Sequence, residues 1–414
     1  MTERAYPDWL FRVVVPVMTV IVTLGIIEVA LNLMTRANLV NIGERGNALP
    51  LWEAVDDHRP FALRENFEYE VRTPDFDMHI RTNDFGLREN QPIAQLLDHE
   101  FRILSMGDSH TFGYGVNYGE RYSDLFNGIL HNQAIAFTSG YANGFSPVDY
   151  AGYLNAFYSY LLPDIVVLGF FPENDVVNDV VTRQIARDSN GDIVGTKLNG
   201  SNVVDGFLTA QTAPRSNFGR TVVRIKNWMW NTFALYRLAE ETRNVIRYRL
   251  HPNLANTQLP PMLFGDNGNQ EEIDIALGAL EQIDQFLKAR GKTLLVAFIP
   301  SNFQIAERYE RAVTSLPGYR VDSSRMVTAR EVLEPQTSFG RWLQAKHIRY
   351  VDPTQEFIVA ESEGTRLYFD SDGHLNWNGH GLFSKLIQDY LLGNQLVPCH
   401  FLTLEAAAGA GCPR

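Results

Sequence analysis

The sequence is poor in cysteine and in positive charge, and each shortage excludes a class of protein. Its 414 residues contain only two cysteines, Cys399 and Cys412, which are too few for a structural zinc cluster. Lysine and arginine together number 36 against 48 aspartates and glutamates, so the net charge is −12. A general nucleic-acid binder carries a basic footprint, and we therefore expect no nucleic-acid partner.

The composition also excludes a disordered chain. Hydrophobic residues make up 45% of the sequence and charged residues only 20%. A chain of this length can bury a core that needs no disulfide staples. The length predicts two to three domains, or one large domain with insertions.

One apolar run near the N-terminus is long enough to cross a membrane. Residues 13–34 carry a single charge, Glu28, and as a helix they would extend about 33 Å, against about 30 Å for a bilayer core. Arg12 and Arg36 flank the run as interfacial anchors do. A cleaved signal peptide would need a shorter apolar core and a small-residue cleavage site, and a buried helix of a soluble fold would rarely be apolar on nearly all faces. The run predicts a single-pass anchor.

The orientation of this anchor depends on the tail of the chain. Two arginines precede the run and two follow it closely, so the positive-inside rule is balanced. A disulfide between Cys399 and Cys412 would suit an oxidising compartment, and two unpaired thiols are the alternative. We expect an inner-membrane protein with its N-terminus in the cytoplasm and its main body on the periplasmic, or extracytoplasmic, side.

Short apolar runs alternate with helical stretches in the rest of the chain. The runs lie at residues 102–106, 134–138, 164–171, 293–299 and 348–351. The helical stretches lie at about 119–132, 147–161, 272–290, 336–346 and 377–392. This alternation predicts a doubly wound, flavodoxin-like parallel sheet with helices on both faces, a three-layer α/β/α sandwich. In such a fold the active crevice lies at the carboxyl ends of the strands.

The same pattern divides the chain into four predicted parts. They are an anchor at 1–35, a linker with peripheral strands at 36–100, the main domain at 101–395 with an insertion at 176–270, and a tail at 396–414. Alternation at 67–81 favours a hairpin or edge strands, and the Gly/Asn/Asp-rich start of the insertion favours a loop or hairpin.

A basic, aromatic segment follows in the insertion. Residues 218–250 predict a long helix or a helix pair with seven basic and two acidic residues. One interpretation is a solvated helix face packed on the body, and the other is a lid or a contact with anionic polymer or lipid headgroups.

Polar residues with catalytic chemistry follow the predicted strands. Ser109, in Gly-Asp-Ser, comes directly after the first strand, where a strand-to-helix turn can project its hydroxyl into the crevice. Gly144, or the competing Gly140, follows the second strand and can offer a backbone N–H. Asn174 follows the third strand, and its amide can donate to a developing oxyanion. We expect these residues to share one active site.

A histidine and two carboxylates precede the last predicted helix. A nucleophilic serine needs a base, and the base needs an orienting acceptor. His374 is the candidate base, and Asp372 and Asp370 compete as the acceptor. In an extended segment Asp372 lies nearer to His374, and Gly373 can bend the backbone toward it.

The order of these blocks resembles the SGNH, or GDSL, hydrolase superfamily over about residues 70–395. Ser109 matches the nucleophile, Gly144 the glycine block, and Asn174 the asparagine block. Asp372 and His374 match the terminal acid–histidine block. The spelling Asp-x-His-x-Asn-x-x-Gly is similar to the membrane-linked branch that includes alginate O-acetylation proteins.

The resemblance implies ester hydrolysis or acyl transfer to oxygen without a metal or cofactor. Ser109 would attack the acyl carbonyl, His374 would carry the proton, and Asp372 would hold the imidazole tautomer. The backbone N–H groups of Ser109 and Gly144 and the Asn174 amide would form the oxyanion hole.

The expected substrate is an ester-linked acyl group, with the O-acetyl groups of an extracytoplasmic polysaccharide as the first candidate. Membrane-bound polysaccharide-modification proteins would then be partners. The alternatives are a lipase-like esterase acting on lipid and a non-catalytic protein for carbohydrate binding or assembly.

Overall fold

The computed structural model describes most of the chain. The described residues are 10–36, 51–53, 62–73, 75–140, 145–176, 183–198, 203–204, 207–208, 217–250, 270–305, 334–370 and 373–413. The predicted division into four parts remains a prediction.

A five-stranded parallel sheet forms the centre of the molecule. Its strands in chain order are β1 (Phe101–Gly107), β2 (Ala134–Gly140), β3 (Ile165–Phe170), β4 (Thr293–Phe298) and β5 (Arg349–Val351). Their lateral order is β5-β4-β3-β1-β2, with every neighbouring pair parallel. This is the flavodoxin-like doubly wound order, so the fold prediction is confirmed. The strand order reverses between β1 and β3, which places the crevice at their carboxyl ends.

Helices cover both faces of the sheet, because the strands are apolar on both sides. Ile103 and Leu104, adjacent in β1, belong to hydrophobic clusters on opposite faces. One face packs against three helices, Pro147–Leu161, Gln270–Lys288 and Glu334–Ala345. The other packs against Tyr122–Leu125, Thr354–Ser362, Trp377–Gly393 and Leu404–Gly409. The continuous apolar runs are therefore those of a fully covered parallel sheet.

Small antiparallel hairpins surround the sandwich. Their strand pairs are Trp52–Glu53 with Ala62–Leu63, Glu68–Arg72 with Asp77–Arg81, Arg183–Arg187 with Ile193–Leu198, and Val203–Val204 with Phe207–Leu208. The second and third pairs match the hairpins that the sequence favours. In Asp77–Arg81, alternate residues are buried, and Met78 and Ile80 join the core on the face of helix Pro147–Leu161.

Short helical turns complete the described structure of the body. They are Ile93–Leu97, Ser109–Phe112, the 3₁₀ turn Phe126–Gly128, Pro172–Asp175, Asn302–Ile305 and the 3₁₀ turn Cys399–Phe401. Cys399 and Cys412 form a disulfide. The tail it closes packs on the sheet, where the Phe401 ring stacks on Phe101 with a centroid separation of 5.1 Å.

Three further helices lie in the N-terminal run and the insertion. A π-helical turn, Leu10–Val14, leads into helix Val15–Arg36. Among the described residues, one stretch, Phe11–Met34, has the length and composition to cross a membrane. The basic segment forms two helices, Asn217–Thr232 and Ala234–Leu250, which we call the basic helix pair.

Candidate active site

Ser109 and His374 meet at the carboxyl end of the central sheet. Ser109 begins the one-turn helix Ser109–Phe112 directly after β1. His374 precedes helix Trp377–Gly393, and its Nε2 lies 2.7 Å from the Ser109 Oγ although 265 residues separate them in sequence. Both residues are half-buried. A hydroxyl within hydrogen-bond reach of an imidazole nitrogen has the geometry of a nucleophile with its general base.

The short helix that carries Ser109 rests directly on the strand ends. The buried Asp108 carboxylate caps it by accepting the His110 N–H at 3.0 Å. A Cβ at Gly107 would come within 2.0 Å of Thr111 Oγ1, and a Cβ at Gly140 within 2.2 Å of the Phe112 nitrogen. Glycine at these two strand ends therefore allows the short helix that begins at Ser109 to approach the sheet. This close approach is a structural reason for glycine at position 140. By the sequence alone, Gly140 is the alternative to Gly144 for donating a backbone N–H.

A buried arginine holds the other end of the same short helix. The Arg88 guanidinium donates to the carbonyl oxygens of Phe112 and Gly113 at 2.7 Å each and of Val116 at 2.6 Å. A fourth bond reaches the His79 carbonyl at 3.2 Å. Burial, and then the neighbouring Arg121, lower the pKa of Arg88 to about 9, so it remains charged at neutral pH. A cation at a helix C-terminus satisfies carbonyls that have no intrahelical partner.

A second buried arginine supports the first. The Arg121 guanidinium donates to the Arg88 carbonyl at 2.7 Å and pairs with Asp124 at 2.5 Å and Glu89 at 3.1 Å. Glu89 also accepts the backbone N–H of Thr138, in β2, at 2.8 Å. The network therefore ties the Ser109 turn to the sheet through Arg88 and Glu89, which lie before β1 in the chain, and Arg121, which lies after it.

Backbone hydrogen bonds between two short segments position His374. The Phe369 N–H donates to the His374 carbonyl at 3.1 Å, and the Asn376 N–H donates to the Leu367 carbonyl at 3.0 Å. Residues 367–369 and 374–376 thus pair side by side, with Tyr368 opposite Leu375. The Asn376 side chain accepts the N–H groups of Asn378 and Gly379, and so caps helix Trp377–Gly393.

A tyrosine and a second histidine pack against the His374 imidazole. The rings of Tyr114 and His110 lie 4.9 Å and 4.8 Å from it, centroid to centroid. His110 is buried and also contacts Phe171 at 4.5 Å. Burial, and then His374 and His380, keep the pKa of His110 well below its ordinary value. His110 is therefore a neutral ring packed on the His374 imidazole.

Of the four remaining predicted site residues, the structure describes Asn174 and Asp370. Asp372 and Gly144 lie outside the described residues. Asn174 belongs to the one-turn helix Pro172–Asp175, which follows β3 at the same edge of the sheet. Asp370 is 74% exposed, and its carboxylate lies 3.8 Å from the Arg366 guanidinium. Within the described part of the chain, no group of three or more His, Cys, Asp or Glu residues could hold a metal ion.

Comparison with known proteins finds similarity at the level of solved structures. No model of a known protein family and no curated protein sequence matches the chain. A GDSL-like lipase from Bacteroides thetaiotaomicron is 12% identical with a TM-score of 0.33, and covers 73% of this chain and 91% of its own. A catalytic mutant of Axe2, an acetylxylan esterase from Geobacillus stearothermophilus, is 12% identical with a TM-score of 0.32, and covers 70% and 94%.

TesA is a further similar structure, 11% identical with a TM-score of 0.33, and covers 72% of this chain and 99% of its own. At these identities the similarity concerns the fold alone. The membrane-linked alginate-acetylation branch remains a prediction. The solved structures to which this chain is similar include GDSL-like lipases and acylhydrolases.

Proposed function

We propose that this protein is a membrane-anchored serine esterase or O-acyltransferase of the SGNH type. The observation that carries the proposal is the 2.7 Å contact between Ser109 Oγ and His374 Nε2. It occurs at the edge of the sheet where a doubly wound fold places its ligands. The preferred substrate is an O-acetyl group on an extracytoplasmic polysaccharide.

The proposed mechanism is two-step acyl transfer through the serine. Ser109 attacks the acyl carbonyl while His374 takes its proton, and His374 then protonates the leaving alcohol. Asp372 holds the imidazole in the required tautomer. The backbone N–H groups of Ser109 and Gly144 and the Asn174 amide stabilise the oxyanion, and each such donor contributes about 3–4 kcal/mol in comparable enzymes.

The acceptor in the second step decides between the two activities. Attack by water on the acyl-serine gives an esterase, whereas attack by a sugar hydroxyl gives an O-acyltransferase. The two differ in how far the site excludes water and in whether it binds an acceptor. Membrane-bound polysaccharide-modification proteins would be partners in the second case.

An exposed tryptophan beside the base favours a polymeric glycan over a small ester. Trp377 lies three residues after His374, is 55% exposed, and contacts the buried Phe369 with a ring separation of 6.0 Å. A large flat ring with an apolar face and a polar edge, three residues along the chain from the proposed base, suits a sugar ring that has the same two-sided character.

The direct test is release of acetate from acetylated polysaccharides by the full-length protein in detergent. We expect acetate release by the wild type and none by Ser109→Ala, and labelling of the wild-type serine by a fluorophosphonate. Faster turnover of long-chain than of short-chain p-nitrophenyl esters would favour the lipase-like alternative. Absence of both turnover and labelling would favour a non-catalytic carbohydrate-binding or assembly protein and overturn the proposal.

Two features support the proposed location. The apolar stretch Phe11–Met34 supports a membrane anchor, and a signal sequence is the alternative. The Cys399–Cys412 disulfide supports an oxidising, extracytoplasmic compartment for the body. Carbonate extraction and N-terminal sequencing test the anchor: recovery of a shortened, soluble protein would overturn it. Protection of the body from protease in intact spheroplasts would overturn the proposed side.

A further inference from the structure

Helix Val15–Arg36, which we call the apolar helix, has one charge before its last residue, Glu28, and a distant part of the chain holds it. The Glu28 carboxylate accepts the backbone N–H of Ala234 at 2.8 Å and of Leu235 at 2.9 Å. Asn32, one turn along the apolar helix, also donates to Glu28 at 2.6 Å. Ala234 and Leu235 form the start of helix Ala234–Leu250, where N–H groups have no partner within the helix and the helix dipole favours a negative charge. A carboxylate that would be costly in lipid therefore has partners within the protein.

The position of Glu28 fixes the depth of the basic helix pair. Glu28 lies six residues before Met34, where the apolar stretch ends. At 1.5 Å per residue, that places the carboxylate about 9 Å inside the end of the stretch. An amphipathic helix on a membrane buries its apolar face to about 5–10 Å in the boundary between headgroups and acyl chains. The start of helix Ala234–Leu250 is thus held at that depth.

The helix before this contact exposes apolar side chains. Ile225 is 50% exposed and Trp228 is 58% exposed, and both lie on helix Asn217–Thr232. Val222, three residues before Ile225, is also exposed. This stripe, at steps of three residues, forms one side of a helix whose end, through Phe233, leads directly to Ala234. Tryptophan is enriched where a membrane meets water.

The charge of the pair is opposite to that of the whole protein. Residues 218–250 carry seven basic and two acidic side chains, whereas the full chain has a net charge of −12. Basic residues next to a membrane are attracted to anionic lipid headgroups, with about 1 kcal/mol for each residue near the surface. A bilayer with anionic lipid therefore fits both the exposed apolar stripe and the charge.

We propose that the basic helix pair docks on the bilayer that the apolar helix spans, with Ile225 and Trp228 in the headgroup–acyl boundary and Glu28 holding the pair at that depth. This inference rests on the anchor of the proposed function. Among the interpretations that the sequence leaves open for residues 218–250, it selects contact with lipid headgroups over a solvated helix face, a lid or a contact with anionic polymer. The docked pair would give the insertion a second attachment to the membrane beside the span.

Nitroxide labels on the full-length chain in nanodiscs test this arrangement. Because the two native cysteines form a disulfide, a cysteine introduced by Trp228→Cys or Ile225→Cys can be labelled alone. Val20→Cys marks the middle of the apolar helix, and Leu404→Cys, at a position 93% exposed on the body, marks water. The discs contain phosphatidylcholine and phosphatidylglycerol. The measurement is the ratio of label accessibility to oxygen and to a nickel chelate.

We expect the labels at 225 and 228 to have oxygen-to-nickel ratios several-fold above that at 404 and below that at 20. Ratios at 225 and 228 equal to that at 404, with a lipid-exposed label at 20, would overturn the docking and leave the anchor intact. A water-exposed label at 20 would overturn the anchor and the docking together.

The role of Glu28 is tested with a matched pair of variants. Glu28→Ala removes both acceptors of the Ala234 and Leu235 N–H groups, whereas Glu28→Gln keeps one neutral acceptor. In the Trp228→Cys background, we expect the ratio at 228 to fall toward the value at 404 in Glu28→Ala and to fall less in Glu28→Gln. Esterase activity on a soluble ester should stay unchanged in both, which shows that the body remains folded. An unchanged ratio in Glu28→Ala would overturn the role of Glu28.

Discussion

A second buried histidine makes the stability of this fold depend on pH in a predictable way. His380 lies on helix Trp377–Gly393 with none of its side chain exposed, and its Nδ1 accepts the Tyr122 N–H at 3.2 Å. Its Nε2 contacts no hydrogen-bond acceptor among the described residues. Burial, and then the charges of Arg121 and Arg88, lower the pKa of His380 to about 3. The ring is therefore neutral in the folded protein at any physiological pH.

The magnitude follows from proton linkage. The unfolded chain has a histidine pKa of about 6.5, so below that pH the unfolded state binds a proton that the folded state does not. Above pH 6.5 this group has no effect on stability. Each pH unit below it costs about 1.4 kcal/mol until the folded pKa is reached. At pH 5 the loss from His380 is therefore about 2 kcal/mol.

The variant His380→Asn isolates this contribution. The Asn Oδ1 can replace Nδ1 as the acceptor of the Tyr122 N–H, and the amide does not titrate. We expect the variant to be less stable than the wild type at pH 7 by about 1–2 kcal/mol, because it leaves a small cavity. Between pH 7 and pH 5, however, it should lose about 2 kcal/mol less than the wild type.

The assay is thermal unfolding followed by circular dichroism, for both proteins across this pH range in the same detergent. Other titrating groups, His110 included, are present in both proteins and cancel in the difference. If the two proteins lose stability in parallel between pH 7 and pH 5, then His380 is not held neutral, and the reasoning from its burial is refuted.

Four further predictions concern the site. Ser109→Ala should abolish acetate release with an unchanged circular dichroism spectrum, and wild-type turnover in this variant would exclude the serine as nucleophile. Asp372→Asn should lower kcat by up to about four orders of magnitude through the wrong histidine tautomer, whereas Asp370→Asn should change it little; side-by-side rates with the larger loss at Asp370 would reassign the acid. Arg88→Lys should lower kcat more than it changes KM and should destabilise the protein by about 2–4 kcal/mol, because an ammonium group cannot reproduce the guanidinium fork that reaches four carbonyls. A kcat equal in the wild type and the variant would contradict the positioning role of Arg88. Trp377→Ala should raise KM for an acetylated glycan and leave KM for p-nitrophenyl acetate unchanged, and equal effects on both substrates would exclude the indole from glycan binding.

Elements formed by local patterns were predictable in detail. Helix Pro147–Leu161 has the predicted bounds, and its start is a capping box between Ser146 and Asp149. The apolar run predicted at 164–171 is β3, Ile165–Phe170. Periodicity, capping and continuous apolar runs are properties of neighbouring residues, so the sequence displays them directly.

The sequence prediction was wrong where a distant contact replaces a local pattern. A helix was expected at 119–132, but only Tyr122–Leu125 and a 3₁₀ turn form there. The Asn127 side chain instead donates to the Ala136 carbonyl at 3.0 Å and accepts the Ala136 N–H at 2.8 Å, which ties it to the edge of β2. Asn favours such alternatives to helix interiors. Helix Thr354–Ser362 was not predicted.

The sequence by itself determined three features of this protein. They are a serine after the first strand, a histidine before the last long helix of the sheet domain, and an apolar run long enough to span a bilayer. Only the tertiary structure decided that Ser109 and His374 touch, that Arg88 holds the nucleophile turn, and that Glu28 caps a helix more than 200 residues away. A single sequence shows which residues have the right chemistry. It does not show which buried charge meets which carbonyl or N–H, because that depends on how the crossovers bring distant segments together and on the need to pair every polar group removed from water.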